Sequence, residues 1–154
     1  MSDKIQIELE QLLPVMLEQL KAGGKFKFSP KGTSMLPLIH QGVDEVVISP
    51  KKGELKKYDV PFYRRKDGQF VLHRIVGRNK DGYILCGDNQ YIKEYGVTDD
   101  MIIGVLAEVH TPDKVIKVTD RDYISYAKKR VFRQKLRGKA VKLRAIARKI
   151  VKGK

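Results

Sequence analysis

Cysteine is nearly absent from this sequence, since Cys86 is the only one among 154 residues. One cysteine excludes an internal disulfide and any zinc site that needs two or more thiolates. The three histidines, His40, His73 and His110, lie far apart in the chain, so we predict neither a metal ion nor another cofactor. The lack of disulfides favours a reducing, cytoplasmic compartment. Cys86 lies in an apolar stretch and is predicted to be a small core residue.

Long apolar runs are missing as well. No stretch approaches the ~20 apolar residues that span a bilayer, and the chain opens with Met-Ser-Asp-Lys rather than with a signal peptide. We therefore expect a protein that neither crosses the membrane nor carries a recognisable export signal. This expectation again favours the cytoplasm, with peripheral attachment to the inner face of the membrane as an alternative.

Acidic residues are scarce in one part of the chain only. The sequence has 32 Lys and Arg and 18 Asp and Glu, and residues 121–154 hold 14 of the basic residues but 1 of the acidic ones. Subtraction leaves 18 and 17 for residues 1–120, which are almost neutral at +1, whereas the last segment carries +13. We predict three parts: an N-terminal helix (1–24), a globular body (25–120) and a separate basic tail (121–154).

The body has the periodicity of β-strands. Alternating or short apolar stretches, which are typical of strands, occupy residues 25–28, 45–48, 60–64, 69–75, 82–86, 102–110 and 114–118. Asp-Gly pairs at 67–68 and 81–82 suit tight turns between strands. The sequence therefore predicts a mainly β fold, with a closed or strongly coiled antiparallel sheet.

Helical periodicity occurs at the two ends of the chain. Apolar residues recur at helical spacing over 5–21, where Pro14 predicts a break or a bend near the middle. The tail is predicted to form a basic amphipathic helix over 122–152, in which Gly138 weakens the middle and allows two pieces. The apolar stripe of that helix consists of Phe132, Leu136, Ala140, Leu143, Ala147 and Ile150.

Three residues of the types that acyl transfer uses stand in distinctive local contexts. Ser34 lies in a bend, His73 in an alternating apolar stretch and Asp88 in a glycine-containing turn. A serine hydroxyl is a weak nucleophile, so a neutral imidazole must take its proton as it attacks. A carboxylate behind the imidazole fixes its tautomer and stabilises the imidazolium that forms.

Five short motifs follow one another in the order found in the type I signal peptidases. They are Gly-Thr-Ser-Met-Leu-Pro at 32–37, Lys-Tyr-Asp-Val at 57–60, Leu-His-Arg-Ile-Val at 72–76, Gly-Asp-Asn at 87–89 and Asp-Met-Ile-Ile-Gly-Val at 100–105. Over residues 25–110 the chain resembles that family, and also the small peptidases that share the catalytic domain of the SOS repressors. The resemblance implies a coiled β-sandwich or barrel-like catalytic domain that presents the serine at the edge of a groove.

The resemblance also implies a role for each matching residue. Ser34 corresponds to the nucleophile, and its backbone N–H is expected to help hold the oxyanion. His73 corresponds to the general base of the histidine branch, at the place where most bacterial leader peptidases have lysine. The substitution makes chemical sense, because histidine titrates near neutrality whereas lysine must first be stripped of its proton by burial.

The carboxylate that orients the histidine is less well defined. Asp88 matches the aspartate of the Gly-Asp-Asn motif. The histidine branch has a second aspartate six residues later, where this chain has Glu94. We rank Asp88 first and Glu94 second, with Asp99 or Asp100 as substitutes if the intervening loop folds differently.

Together these features predict a serine endopeptidase that cleaves a peptide bond in an extended leader or signal-like segment, bound as an added strand. Two alternatives stay open. One is self-cleavage at Ala22-Gly23, although that bond lies very close in sequence to Ser34. The other is a non-catalytic module of the same fold that binds a peptide or a protein partner.

The basic tail (121–154) is expected to bind an anionic membrane surface, because an apolar stripe among Lys and Arg suits the bilayer interface. An acidic protein partner is the next alternative, and nucleic acid is a less favoured one. A helix that simply packs its apolar stripe on the body is a further alternative.

Overall fold

A computed structural model describes residues 2–153, with side chains described from Glu8 onward. The described residues contain two helices and nine strands, in the order α1 (Ser2–Lys21), β1 (Phe26–Phe28), β2 (Glu45–Ser49), β3 (Pro61–Arg64), β4 (Phe70–Leu72), β5 (Arg74–Asn79), β6 (Gly82–Cys86), β7 (Glu94–Val97), β8 (Ile102–His110), β9 (Val115–Lys117) and α2 (Arg121–Lys152). The prediction of a mainly β protein with a helix at each end is confirmed.

The larger sheet is built around β8, the longest strand. The order of strands in this sheet is β1-β2-β8-β3-β4, and β9 also pairs with β8. All of these pairs are antiparallel. β2 occupies one side of β8. β3 and β9 share the other side, where β3 pairs with the first residues of β8 and β9 with its last. One consequence matters for the site: β4 is an edge strand of this sheet.

The chain passes from the larger sheet to the smaller one at His73. Residues 69–75 were predicted as one strand, but β4 ends at Leu72 and pairs with β3, whereas β5 begins at Arg74 and pairs with β6. β6 also pairs with β7, which completes an antiparallel sheet of three strands. His73 therefore belongs to neither sheet and occupies the crossover between them.

Both helices contribute to the apolar core of the larger sheet. Met16 and Leu20 of α1 and Tyr123 of α2 are buried in the same cluster as side chains from β2, β3 and β8. A second cluster forms on the smaller sheet around Tyr83 and Leu85. Each sheet thus has an apolar cluster, and the two helices close the larger one.

Pro14 does not divide α1, since the helix is continuous from Ser2 to Lys21, and of the predicted break or bend the break is absent. A proline inside a helix removes one backbone hydrogen bond. Met16 and Leu20 lie just beyond it and are 0% and 5% exposed. Their burial compensates for the lost hydrogen bond, since tertiary packing supplies most of the stability of a helix in a protein.

α2 is also one continuous helix, and Gly138 does not divide it. Its first half is not a separate attachment, since Tyr123, Ala127, Val131 and Gln134 are buried against the body. Every residue from 139 to 153 is exposed. The predicted apolar stripe is exposed as well, so the alternative in which it packs on the body is wrong. Neither helix of residues 2–153 is long and apolar enough to cross a bilayer.

Candidate active site

Ser34 lies in a turn within the long connection between β1 and β2, and neighbouring residues of that connection are anchored in the core. Gly32 has a φ of +96°, a conformation that favours glycine, and its N–H donates to Gln41 Oε1. Met35 and Leu38 are buried in the larger apolar cluster. The side chain next to the serine is therefore fixed in the core, while Ser34 is half-buried at the surface.

The Gly-Asp-Asn turn supports the serine loop from behind. The Asn89 N–H donates to the Ser34 carbonyl at 2.7 Å, and Asn89 Nδ2 donates to the Thr33 carbonyl at 3.2 Å. A Cβ atom on Gly87 would meet that same Ser34 carbonyl at 2.8 Å, so only glycine fits there. Two motifs that are far apart in sequence are thus packed together.

Burial determines the state of His73. The residue is 6% exposed, and among the described residues its Nδ1 atom has no hydrogen-bond partner. The pKa of the imidazole is lowered from 6.5 to about 4, mainly because burial disfavours the charged ring, and the nearby Arg65 guanidinium acts in the same direction. The negative charge of Glu94 acts in the opposite direction. His73 is therefore neutral at pH 7, the state in which an imidazole accepts a proton.

Ser34 and His73 line the same cavity, whose volume is about 240 Å³. One of its walls is the segment from Gln69 to Leu72, which includes the edge strand β4. Within residues 2–153, no hydrogen bond joins the Ser34 side chain to His73, and the Ser34 N–H donates none. A second cavity of about 590 Å³ adjoins the first, and Arg65, His73 and Gln90 line both.

Glu94 is the carboxylate beside His73. Its Oε2 atom lies 3.9 Å from His73 Nδ1, which is longer than a hydrogen bond. Arg65 donates to both Glu94 oxygens, from Nε at 2.8 Å and Nη2 at 2.7 Å, and Tyr63 donates its hydroxyl at 2.7 Å. Partial burial would raise the pKa of Glu94, but these hydrogen bonds outweigh it and hold the pKa below its ordinary value.

Asp88, ranked first from the sequence, has another partner. Arg74 donates to both of its oxygens, from Nε and Nη2 at 2.7 Å each, and both side chains are completely buried. Tyr126 of α2 adds its hydroxyl at 2.9 Å. A buried arginine needs such a partner, since an unpaired buried charge is strongly unfavourable. The structure therefore reverses the ranking and puts Glu94 next to His73 in place of Asp88.

The two substitute carboxylates are engaged elsewhere. Asp99 pairs with Lys51 at 3.0 Å and accepts the Tyr83 hydroxyl at 2.9 Å. Asp100 accepts a hydrogen bond from Thr98 at 2.5 Å. Neither lines a cavity that contains His73.

Sequence reasoning missed three side chains at the site: Arg65, Tyr63 and Gln90. Arg65 fixes Glu94, Tyr63 donates to it, and Gln90 lines both cavities. Nothing in the local sequence distinguishes Arg65 from the adjacent Arg64. Arg64 is the last residue of β3 and Arg65 follows it directly, and successive side chains of an extended chain point to opposite sides, so only one of the two can face Glu94.

The remaining polar candidates have structural roles. His40 contacts Asp44 at 3.1 Å, and His110 contacts Glu108 at 2.8 Å. Cys86 is buried and free, as predicted for a core residue, and burial raises its pKa to about 11. No group of three or more metal-binding side chains occurs in the part of the chain that the structure describes.

The chain was also compared with known proteins. It matches no protein-family model and no curated protein sequence. Any assignment of function therefore depends on the geometry of the cavity and on the motifs that line it.

Proposed function

We propose that this chain is a serine endopeptidase in which Ser34 is the nucleophile and His73 the general base. The observation that carries the proposal is that both residues line one cavity, where His73 is neutral and has a carboxylate beside its Nδ1 atom. A neutral histidine that shares a cavity with a serine and has a carboxylate beside it supplies the three groups of one well-established route of acyl transfer. The carboxylate in this proposal is Glu94.

The reaction follows from these positions. Ser34 Oγ attacks the scissile carbonyl carbon while its proton moves to Nε2 of His73, and the Ser34 N–H stabilises the oxyanion. The C–N bond then breaks, and the imidazolium returns the proton to the departing amine. Water hydrolyses the resulting ester by the same route in reverse, which frees Ser34. Glu94 stabilises the imidazolium once the ring moves ~1 Å closer, since such hydrogen bonds often tighten only when substrate binds.

The substrate we propose is an extended peptide segment, such as a leader or signal-like sequence. Among the described residues no strand pairs with the outer edge of β4, which lies along the wall of the cavity next to His73. An extended peptide can pair with such an edge as an additional strand. The adjoining second cavity extends the same surface past His73, so a bound segment has room on both sides of the reacting bond.

The order of the five motifs, together with a mainly β body, supports a proposal about family. We propose that the chain is a member of the type I signal peptidase-like peptidases, in their histidine branch. Self-cleavage is less well supported, because Ala22 and Gly23 lie in the turn that ends α1 and line neither cavity beside His73.

A library of extended peptides and a fluorophosphonate probe test the proposal. The wild type is expected to cleave a subset of peptides and to be labelled at Ser34. Ser34→Ala and His73→Ala are expected to lose at least about 1,000-fold in kcat/KM. Ser125→Ala, an exposed serine on α2, is the matched control and should behave as wild type.

One observation favours a second candidate, a module that binds such a segment without cutting it. Among the described residues, Ser34 and His73 are not hydrogen-bonded to each other. This alternative is correct if peptides from the library bind at β4 with equal affinity to wild type and Ser34→Ala, and neither protein cleaves them.

A further inference from the structure

The far half of α2 carries an apolar stripe that nothing in the described chain covers. Leu136, Leu143 and Ile150 recur at seven-residue intervals and are 51%, 66% and 65% exposed. With 3.6 residues per turn, they lie on the side of α2 roughly opposite Val131 and Gln134, which pack on the body. The far half of the helix therefore presents an apolar face to solvent, roughly opposite the face that packs on the body.

Basic side chains border this stripe on both flanks. Lys135, Lys142 and Lys149 precede the three apolar residues by one position, and Arg137 and Arg144 follow the first two. Because neighbours in sequence are ~100° apart on a helix, the lysines form one flank and the arginines the other. No acidic residue occurs from 123 to 154, so none of these cations has an acidic neighbour on the helix.

We propose that this stripe, with its two basic flanks, binds the surface of an anionic lipid bilayer. The apolar residues would enter the region between headgroups and acyl chains, and Lys142, Lys149 and Arg144 would contact lipid phosphates on either side. Arg137 instead lies over the Tyr91 ring beside the second cavity. Each basic residue near an anionic surface adds to the attraction, and added salt weakens its contribution. Lysine and arginine have long apolar stems, so they can flank a buried stripe while their charges stay in water.

Two other occupants fit the surface less well. Nucleic acid would account for the cations but not for three large apolar residues on the same face, since phosphate contacts need charge only. A second copy of the helix would bring lysine flanks together with no acidic residue to oppose them, and it would bury Lys139 in the seam. An anionic bilayer can both bury the apolar stripe and contact the basic residues on its two flanks.

The helix that carries the apolar stripe, α2, also contributes a residue to the lining of the second cavity. Arg137 lines the second cavity, together with His73 and Glu94. Attachment through α2 would therefore hold that cavity near the bilayer and favour substrates presented at its surface. This last step, unlike lipid binding itself, depends on the proposed peptidase function.

Co-sedimentation of the full chain with vesicles tests the lipid surface. Wild type is expected to bind phosphatidylcholine vesicles containing a quarter phosphatidylglycerol at least about ten times more tightly than pure phosphatidylcholine vesicles, and less tightly as salt is added. The double variant Leu143→Gln/Ile150→Gln should lose about tenfold or more in affinity. The control Val141→Gln/Ala145→Gln places two glutamines at exposed positions on the opposite side of the helix and should stay within about twofold of wild type.

Circular dichroism would establish that both double variants keep the helix. Ser34→Ala is expected to bind vesicles as wild type does, which separates lipid binding from catalysis. The proposal is wrong if wild type ignores anionic vesicles or if the two double variants bind them equally well. It is also wrong if wild type sediments as a dimer that the Leu143→Gln/Ile150→Gln substitutions alone dissociate.

Discussion

Two carboxylates in this protein have the same set of partners in different surroundings. Asp88 accepts two hydrogen bonds from Arg74 and one from a tyrosine hydroxyl, and Glu94 accepts the same set from Arg65 and Tyr63. The side chain of Asp88 is 0% exposed, whereas that of Glu94 is 25% exposed. The same kinds of hydrogen-bond donor therefore surround a completely buried carboxylate in one case and a partly exposed carboxylate in the other.

The difference lies in what each carboxylate holds in place. The Asp88 pair connects the body to α2, because Tyr126 donates to Asp88 and the Tyr123 hydroxyl accepts from Arg74 at 3.1 Å. Glu94 instead lies 3.9 Å from Nδ1 of a neutral histidine that lines a cavity. The comparison teaches that Asp88 joins the body to α2, whereas Glu94 is the carboxylate that the proposed function uses.

Removing the negative charge should lower the free energy of unfolding more at Asp88 than at Glu94. Asp88→Asn leaves Arg74 buried without a counter-charge, so we expect a loss of about 3–5 kcal/mol in the free energy of unfolding. Glu94→Gln leaves Arg65 partly in water, and the expected loss is about 1 kcal/mol or less. Urea denaturation of the two amide variants measures both values.

A milder variant covers the case in which Asp88→Asn does not fold. Tyr126→Phe removes one hydrogen bond to Asp88 and should cost about 1–2 kcal/mol. Equal losses of stability in Asp88→Asn and Glu94→Gln would contradict the distinction between the two sites.

Catalytic activity should depend more on Glu94 than on the Asp88 site, which is the reverse of the order expected for stability. Glu94→Gln is expected to lower kcat/KM about 100-fold, because the imidazolium that forms at His73 loses its stabilising charge. Tyr126→Phe, which weakens the Asp88 site, should stay within about threefold of wild type at a temperature where both are folded. A Glu94→Gln enzyme with full activity would remove Glu94 from the mechanism.

The smallest expected effects concern pH. The pKa of His73 is lowered to about 4 in the fold from 6.5, so the unfolded chain binds a proton that the native one does not. Its contribution to stability is complete above pH 6.5 and is lost as pH falls toward 4. The acidic limb of kcat/KM should likewise lie near pH 4 rather than 6.5.

Two variants should move that limb in opposite directions. Glu94 raises the pKa of His73 and Arg65 lowers it, so Glu94→Gln should shift the His73 titration down and Arg65→Gln should shift it up. NMR titration of the His73 ring protons measures the shifts directly. Shifts of the same sign in both variants would contradict this account of the electrostatics.

Much of the fold was predictable because apolar periodicity reports burial directly. Most strands of the larger sheet and both helices follow it. β7 escaped detection, since among its four residues only Val97 is buried and Gly96 has a φ of +75°. The break at His73 also escaped detection, because the residues around it alternate as in one strand while the buried Arg74 is held by a distant partner, Asp88.

The site was predictable only where a motif marks it. Ser34 and His73 are in short, recognisable segments, and both line the cavity. The choice between Asp88 and Glu94 was not predictable, since it depends on which arginine each carboxylate meets after folding. Arg74 and Arg65 occupy corresponding places in those two pairs, yet only Arg74 lies in one of the five motifs, and nothing in the sequence assigns either arginine to its carboxylate.

The packing of α2 changes where the folding unit ends. Gln134 Nε2 donates to the Gly87 carbonyl at 2.6 Å, and Gly87 packs directly on the carbonyl of Ser34. Residues up to the middle of the helix are therefore part of the body, although composition alone put the boundary at 120. A chain shortened to that point would lose part of its core along with its basic tail. One that ends near Gly138 would keep the body whole and lose only the exposed half of the helix.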